Sequence, residues 1–508
     1  MLFNSFEYLI FLPIVFLLYW FVFDYALSKC KHQLWLQNAF IVVASYIFYG
    51  WWDWRFLILI AITSFCSWGS GLRIGRQEGD EAKEKNTPYT LHLTQKPNFW
   101  PRFWLISNII LNLGILGLYK YYDFFAREFA ALLGIESDFL LLHLILPVGI
   151  SFYTFQALSY SIDVYRGHIQ PTKDIVAFTA FLSFFPQLVA GPIERATNLL
   201  PQFQKKRTFD YEQAVDGMRQ ILWGLFKKIV IADNCAVYVD QVWATYDTQS
   251  GSTLLLAAIL FTFQIYGDFS GYSDIAIGTA KLFGIQLMRN FNVPYFSRDI
   301  AEFWRRWHIS LTTWFRDYVY IPLGGSRPNI PEAIIQKGDK ALEARYTKWI
   351  AVRNTFIIFL LSGFWHGANW TFIVWGIYHA LLFVSLLLMG KNRRYVHQKI
   401  NASEWPRMLL TLALVMMGWV LFRAPSIADA WGYICGMGTA SLFTLPVITD
   451  PIVWFTLLMI VLMMVVEWRG RERDTAPLPH NRWVYYAIVL LIYWFATDKT
   501  TEFIYFQF

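Results

Sequence analysis

Long apolar stretches recur along the chain and constrain its fold more than any other feature. Crossing a bilayer as a helix takes about 20 mostly apolar residues. About 11 stretches approach this length, and they lie near 3–24, 36–52, 55–71, 103–121, 176–192, 253–267, 349–366, 370–389, 407–423, 451–467 and 483–497. Barrel strands need apolar and polar residues to alternate over about ten positions, which these stretches do not. The pattern predicts an all-α, polytopic transmembrane helical bundle.

Composition and charge agree with a protein embedded in a lipid bilayer. Of the 508 residues, 56% are hydrophobic and 16% are charged, which is too apolar for a soluble protein of this length. The formal charge of +7 fits cytoplasmic loops that obey the positive-inside rule, so no nucleic-acid partner is predicted. The basic loops at 28–32 and 73–102 are expected in the cytoplasm, which places both termini outside. The four scattered cysteines predict neither a disulfide framework nor a metal site.

One histidine lies between two apolar stretches, in the segment Leu361-Ser-Gly-Phe-Trp-His-Gly-Ala-Asn-Trp370. An ionisable side chain at membrane depth is costly and indicates a functional site. Gly363 and Gly367 flank His366 and allow a helix or a substrate to approach its ring. A helix-packing motif around a hydrogen-bonded core histidine is an equally open interpretation. No G-x-S-x-G, Gly-rich phosphate loop or H-E-x-x-H motif is present, which leaves histidine-assisted chemistry.

A second aromatic and basic segment runs from Phe303 to Gly325. On one helix its aromatic residues and His308 would share a face, and the arginines would lie elsewhere. Glu302 is spaced to pair with Arg306 one turn later. The residues alone favour an interfacial anchor with snorkelling arginines. The alternative is a cationic dock for an anionic donor such as a coenzyme A thioester, with His308 where the donor enters.

The end of the chain and one central segment are also unusual. Four of the last six residues, Phe503 to Phe508, are aromatic, whereas chain ends are usually polar and frayed. Either an aromatic belt at the outer interface or a tail that folds back into the protein or binds a partner would explain this. Asp268 and Asp274 lie in an apolar stretch, where each carboxylate needs a partner.

Several motifs together resemble the membrane-bound O-acyltransferase family, in its alginate O-acetyltransferase branch. They are Arg306-Trp-His308 with the following Trp-Phe-Arg-Asp-Tyr-Val-Tyr-Ile-Pro-Leu-Gly-Gly, and Gly363-Phe-Trp-His-Gly-Ala-Asn-Trp370. The likeness runs nearly end to end, through Pro192-Ile-Glu-Arg195 and Asn290-Phe-Asn-Val-Pro-Tyr295. The resemblance implies a fold with re-entrant and interfacial helices around a central funnel and tunnel.

The resemblance also implies roles for particular residues. His366 matches the essential histidine of the tunnel, and His308 matches the second family histidine. The tail is similar to an aromatic motif of a small partner protein in teichoic acid D-alanylation, which makes Tyr505 the candidate acyl carrier. The candidates for donor binding are Arg305, Arg306, Trp307 and Arg316. The candidates for lining the tunnel are Trp365, Asn369, Asp268 and Tyr272.

On this basis we expect a single membrane domain over 1–508. Its parts are N-terminal spans at 1–121, a catalytic core at 139–400, C-terminal spans at 401–498 and an aromatic outer tail at 499–508. Within the core, the polar stretch 328–348 is bounded by Pro and Gly and is expected to be a cytoplasmic excursion.

The expected function is transfer of an acetyl group from a cytoplasmic thioester, acetyl-CoA, for O-acetylation of an exported polysaccharide. His366 would act as general base, because an imidazole with a pKa of about 6.5 is neutral near pH 7. No bound cofactor is expected. The resemblance implies a bacterial inner membrane and a secreted or periplasmic SGNH-type acetyltransferase as partner. The alternatives are D-alanyl or other acyl transfer to teichoic acid, peptidoglycan, lipid or protein, and a transporter or flippase without covalent chemistry.

Overall fold

The chain folds as a set of helices. The computed structural model describes residues 1–85, 99–325, 328–336, 338–396, 398–473, 475–496 and 503–504, and every regular element in these ranges is helical. The predicted all-α class is confirmed. The helices divide into two compact units, unit 1 with Met1–Met218 and Ala276–Met288, and unit 2 with Arg219–Ile275 and Arg289–Phe508. A single membrane domain over the whole chain stays a prediction.

The α-helices of the described residues are numbered in chain order. The first ten are α1 Phe6–Leu17, α2 Gln33–Gly50, α3 Phe56–Lys85, α4 Phe99–Leu116, α5 Tyr122–Leu133, α6 Ile150–Tyr165, α7 Ile175–Ser183, α8 Phe185–Leu188, α9 Ala196–Phe203 and α10 Tyr211–Leu225. The others are α11 Asp233–Ala244, α12 Gly251–Leu282, α13 Ile300–Arg306, α14 Ile309–Phe315, α15 Glu332–Ile335, α16 Lys340–His366, α17 Trp370–Leu388, α18 Trp405–Arg423, α19 Ile427–Met437, α20 Ile452–Gly470 and α21 Arg482–Phe495.

Shorter helical turns extend or join these helices. Four are π-helical, at Leu18–Ala26, Gly117–Tyr121, Phe226–Ala232 and Arg316–Tyr320. Five are 3₁₀ turns, at Asp138–Leu140, Tyr246–Thr248, Pro294–Phe296, Ala402–Glu404 and Ala440–Phe443. The π turn at Phe226–Ala232 joins α10 to α11 and carries two buried lysines, Lys227 and Lys228.

Seven helical segments of the described residues are long and apolar enough to cross a membrane, so the chain is a multi-pass membrane protein. They are Phe6–Ala26, Phe56–Gly75, Phe99–Leu133, Gly251–Leu282, Trp370–Leu388, Ala402–Arg423 and Ile452–Gly470. The predicted count of about 11 is not confirmed. Of the remaining predicted spans, 349–366 is the apolar end of α16, whose first half is charged, and 483–497 corresponds to the 14 residues of α21.

The predicted span at 176–192 is wrong as one helix. Helix α7 ends at Ser183, α8 has only four residues, and Phe184 between them has φ −53° and ψ 111°. The backbone N–H of Phe185 donates to Ser45 Oγ at 3.1 Å. A buried break is therefore stabilised by a polar side chain of another helix, as irregular backbone within a membrane protein requires.

Unit 2 has an aromatic core in which α16 and α17 form a closely packed helical hairpin. The largest fully buried side chains of this core include Trp307, Trp375 and Trp419. A Cβ atom on Gly363 would lie 2.2 Å from Phe372 O, and one on Gly376 would lie 2.4 Å from Phe359 O. These two glycines allow the backbones of the two helices to touch, as small residues do in membrane helix pairs.

We expect Gly363→Ala to destabilise the protein by about 1–3 kcal/mol, the usual cost of inserting a group into a packed interface. The obstructing atom is a backbone carbonyl, so the strain cannot be relieved by a change of rotamer. Thermal unfolding of the detergent-solubilised protein measures the effect. Gly114→Ala in α4 is the matched control, because its Cβ would meet no atom within 4 Å. Equal stability of the two variants would contradict the close approach at Gly363.

Candidate active site

His308 lies at a break in the helix, which corrects the prediction of one continuous amphipathic helix from residue 303. Helix α13 ends at Arg306, α14 begins at Ile309, and His308 has a left-handed backbone with φ 43°. The segment around Asn290 stabilises the break, because Ile309 N–H donates to Asn290 O at 2.9 Å. The predicted shared face of Trp304, Trp307 and His308 is therefore wrong.

The side chain of Asn290 orients the imidazole of His308. Asn290 Nδ2 donates to Ser273 Oγ at 3.1 Å, which leaves Oδ1 as the atom 3.1 Å from His308 Nδ1. Because a carbonyl oxygen accepts, the proton of the neutral ring lies on Nδ1 and Nε2 is the acceptor nitrogen. Burial lowers the pKa of His308 to about 3. The ring is therefore neutral at pH 7.

His366 is the last residue of α16, and the chain leaves the helix at Gly367 in an extended conformation. The side chain is buried. Its ring contacts three aromatic rings edge-on, with centroid distances of 5.1 Å to Trp365, 5.2 Å to Trp375 and 5.1 Å to Phe422. These contacts hold the imidazole at the end of a helix within an apolar surrounding.

Trp365 connects the two predicted histidines. Its indole lies 5.9 Å from the ring of His308 and 5.1 Å from the ring of His366, between ring centroids. The two histidines are 58 positions apart in the chain. The structure thus brings both histidines to one tryptophan, and their catalytic roles remain predictions.

The described part of the C-terminal tail folds back into unit 2. Phe503 and Ile504 are 1% and 2% exposed. Ile504 N–H donates to Asp268 Oδ2 at 2.7 Å, and the ring of Phe503 lies 4.6 Å from Tyr272 and 5.9 Å from Phe269. The fold-back interpretation is confirmed for these two residues. Tyr505, the predicted acyl carrier, lies outside the described residues.

Two adjacent lysines supply the partners that the carboxylates Asp268 and Asp274 of α12 require. Lys228 Nζ lies 2.7 Å from Asp268 Oδ1 and 2.8 Å from Asp233 Oδ1. Lys227 Nζ lies 2.5 Å from Asp274 Oδ2. The expectation that Asp268 and Asp274 find partners is confirmed.

A further carboxylate, buried on a helix distant in the chain, contacts Lys227. Glu467 of α20 lies 3.8 Å from Lys227 Nζ and accepts from Tyr266 Oη at 2.9 and 2.8 Å. The sequence analysis did not single out Lys227, Lys228 or Glu467. The available signal was a Lys-Lys pair inside the apolar segment 221–232, where unpartnered cations would be costly.

The predicted donor-binding residues occupy different environments. Arg306 pairs with Glu302 at 2.9 Å, as its spacing predicted, and Arg305 Nη1 donates to Asn392 O at 2.9 Å. Arg316 is exposed and pairs with Asp317 at 2.7 Å. Trp307 is fully buried in the aromatic core. Donor binding by these residues stays a prediction.

Glu302 is shared by two arginines, one four residues before it and one four residues after it. Besides Arg306, Arg298 Nη2 lies 2.9 Å from Glu302 Oε1. Burial alone would raise the pKa of Glu302, but the hydrogen bonds of Arg298 and the charge of Arg306 hold that pKa below its ordinary value. The carboxylate therefore stays ionised and fixes the guanidinium groups of Arg298, just before α13, and Arg306, its last residue.

Asn369 of the tunnel-lining prediction forms a helix cap. Its Oδ1 accepts from Thr371 N–H at 3.0 Å at the start of α17, and its Nδ2 donates to Pro425 O at 3.0 Å. These bonds position the turn that follows His366. A tunnel lined by Asn369, Trp365, Asp268 and Tyr272 stays a prediction. Among the described residues, no group of three or more His, Cys, Asp or Glu side chains could hold a metal ion.

Comparison with known proteins gives a consistent result. The family model described as MBOAT, membrane-bound O-acyltransferase family, matches residues 168–335, a segment that includes His308 and ends before His366. The chain is 38% identical to a probable alginate O-acetylase, AlgI, of Pseudomonas aeruginosa over 398 residues, which cover 78% of this chain and 68% of that protein.

Two further relatives carry names with other acceptors. A peptidoglycan O-acetyltransferase of Helicobacter pylori is 35% identical over 454 residues, covering 84% of this chain and 77% of that protein. A teichoic acid D-alanyltransferase of Bacillus subtilis is 29% identical over 296 residues, covering 55% and 69%. All three names denote acyl transfer, to alginate, peptidoglycan or teichoic acid.

Proposed function

The chain belongs to the membrane-bound O-acyltransferase family, and from this premise we propose that it transfers an acetyl group from a cytoplasmic thioester for O-acetylation of an exported polysaccharide. Acyl transfer itself follows from the family. The acetyl group and the polysaccharide are proposed because the 38% identical relative is named for alginate acetylation. Acetyl-CoA is the proposed donor and is a substrate, without any bound cofactor.

In the proposed reaction His366 is the general base. Its imidazole removes the proton from the phenol of Tyr505 as the phenolate oxygen attacks the thioester carbonyl. The C–S bond breaks, the imidazolium returns the proton to the coenzyme A thiolate, and Tyr505 carries the acetyl ester. A hydroxyl of the acceptor then takes the acetyl group and restores the phenol. Coenzyme A never crosses the bilayer.

The docked tail is the observation that carries this proposal. The centroid of the Phe269 ring lies 5.9 Å from that of Phe503 and 4.7 Å from that of His308. Tyr505 is the second residue after Phe503 in the chain. A tail anchored beside one of the two histidines that share Trp365 supports delivery of the phenol to this cluster.

We assign donor docking to the basic end of α13 and to Arg316. The exposed guanidinium of Arg316 and the side chain of Arg305 can attract the phosphates of coenzyme A, while Glu302 fixes Arg306 in place. Trp307 is buried in the aromatic core, and we assign it a packing role beside His308. His308 itself presents Nε2 as an acceptor and is proposed to orient the reactants.

The proposed setting is a bacterial inner membrane with both termini outside. In that orientation an acetyl group attached to the tail becomes available to a secreted or periplasmic acetyltransferase of the SGNH type. That partner would pass the acetyl group to the polysaccharide. A topology assay with reporter fusions in the 328–348 segment and after residue 508 tests the orientation.

Mass spectrometry of the C-terminal peptide tests the proposed function. After incubation with acetyl-CoA, the wild-type peptide is expected to gain one acetyl group on Tyr505, and the peptide of the His366→Ala variant is expected to stay unmodified. The mass of the adduct distinguishes an acetyl from a D-alanyl group, the alternative that the teichoic acid relative raises. An unmodified wild-type peptide during turnover would contradict the carrier step.

A further inference from the structure

We propose that Asp268 is the positioning residue for the C-terminal tail, an inference that rests on the proposed carrier role of Tyr505. The carboxylate contacts the backbone of the tail rather than a side chain, through the 2.7 Å bond from Ile504 N–H to Oδ2. Bonds from an N–H group to an ionised carboxylate are stronger than bonds between neutral groups. Both residues are buried, so water competes little for either group.

An ion pair with Lys228 orients Asp268. The lysine Nζ lies 2.7 Å from Oδ1, whereas the tail amide donates to Oδ2. The two carboxylate oxygens therefore have different partners. The same ammonium lies 2.8 Å from Asp233 at the start of α11. One buried lysine therefore contacts two carboxylates, Asp268 and Asp233. The amide of Ile504 is a further donor to Asp268.

An aromatic contact supplements the backbone bond. Phe503 stacks obliquely on Tyr272, one turn after Asp268 on α12, with a centroid distance of 4.6 Å and an interplanar angle of 37°. Two neighbouring residues of the tail are thus held by α12. The anchor therefore holds the described part of the tail through one backbone contact and one aromatic contact.

Asp268→Ala is expected to loosen the tail and slow acyl transfer without weakening donor binding. Hydrogen exchange of the C-terminal peptide should be about tenfold faster or more when the charge-assisted bond is lost. The value of kcat for coenzyme A release should fall by about tenfold or more, while KM for acetyl-CoA stays unchanged, because no donor contact is altered. This separation of kcat from KM is what a positioning role predicts.

Asp274→Ala is the matched control. Asp274 is also a lysine-paired carboxylate of α12, 2.5 Å from Lys227 Nζ, whereas the amide of Ile504 donates to Asp268. Its loss should affect stability to a similar degree and leave tail exchange unchanged. If both variants loosen the tail equally, the effect belongs to the ion network in general, and the assignment to Asp268 is wrong.

A second pair of variants removes the donor instead of the acceptor. Ile504→Pro deletes the N–H group, whereas Ile504→Val keeps it. If the bond is what matters, Asp268→Ala and Ile504→Pro should each slow transfer, and the double variant should be no slower than the worse of the two. Additive losses would overturn the proposal, and Ile504→Pro remains informative even if Asp268→Ala does not fold.

The readouts separate this proposal from the carrier hypothesis. Unchanged tail exchange in a folded Asp268→Ala protein would show that Asp268 is no anchor, whatever Tyr505 does. Faster exchange with unchanged kcat would refute its role in transfer. The His366→Ala variant should keep wild-type tail exchange, because it alters the chemistry and not the anchor.

Discussion

His366→Gln is expected to lower the rate of acyl transfer by about 10²–10⁴-fold, the contribution typical of a general base. Glutamine is polar and of similar size, but it cannot accept the proton of the attacking hydroxyl. The loss should appear in kcat, since the imidazole is proposed to act on the nucleophile and not on the donor. The rate of coenzyme A release at saturating acetyl-CoA measures it.

A buried histidine of the same core provides the control for this prediction. His379 on α17 lies 4.9 Å from Trp375, the ring that also contacts His366 at 5.2 Å. His379→Gln should therefore disturb the packing around Trp375 without removing the base. A similar loss of kcat in both variants would indicate that aromatic packing, and not proton transfer, explains the effect at His366.

Tyr505→Phe is expected to reduce transfer to the rate of the reaction without protein, because the phenol oxygen is the proposed site of the covalent bond. Phenylalanine keeps the ring, so insertion of the tail should persist. Radiolabelled acetyl-CoA with detection of labelled protein measures the loss directly. Tyr493→Phe serves as control, since Tyr493 is 82% exposed on α21 and has no proposed role.

Full activity of the Tyr505→Phe protein would eliminate the carrier step and leave direct transfer to an external acceptor. In that case His366 would activate the acceptor hydroxyl itself. Labelling of an added polysaccharide without labelling of the protein would identify this route. The anchor at Asp268 can be measured independently, because hydrogen exchange does not depend on transfer.

Long apolar helices could be predicted closely from the sequence. The predicted stretch 370–389 is α17 at Trp370–Leu388, and 407–423 lies within α18 at Trp405–Arg423. Backbone polar groups in lipid must form their hydrogen bonds within the segment, so a long apolar stretch is expected to be helical. The prediction was wrong at 176–192, where the buried break after Ser183 is satisfied by Ser45 from another helix.

The two histidines could be predicted as site residues, but their surroundings could not. The unusual backbone of His308 depends on Asn290, 18 positions earlier, and local periodicity contains no information about such a partner. In the same way, the environment of Lys228 depends on Asp268, 40 positions later in the chain. Contacts between residues distant in the chain determined each feature that the sequence analysis missed.

The left-handed backbone of His308 affects how mutational scans of this position should be designed. Alanine tolerates a φ of 43° poorly, whereas asparagine is among the residues enriched in this region. An alanine variant would combine the loss of the imidazole with a distorted junction between α13 and α14, and a glycine variant would add chain flexibility. Asparagine is therefore the informative replacement at position 308. A mutational scan that orders substitutions by hydrophobicity alone would attribute the backbone distortion of other variants to the loss of the imidazole.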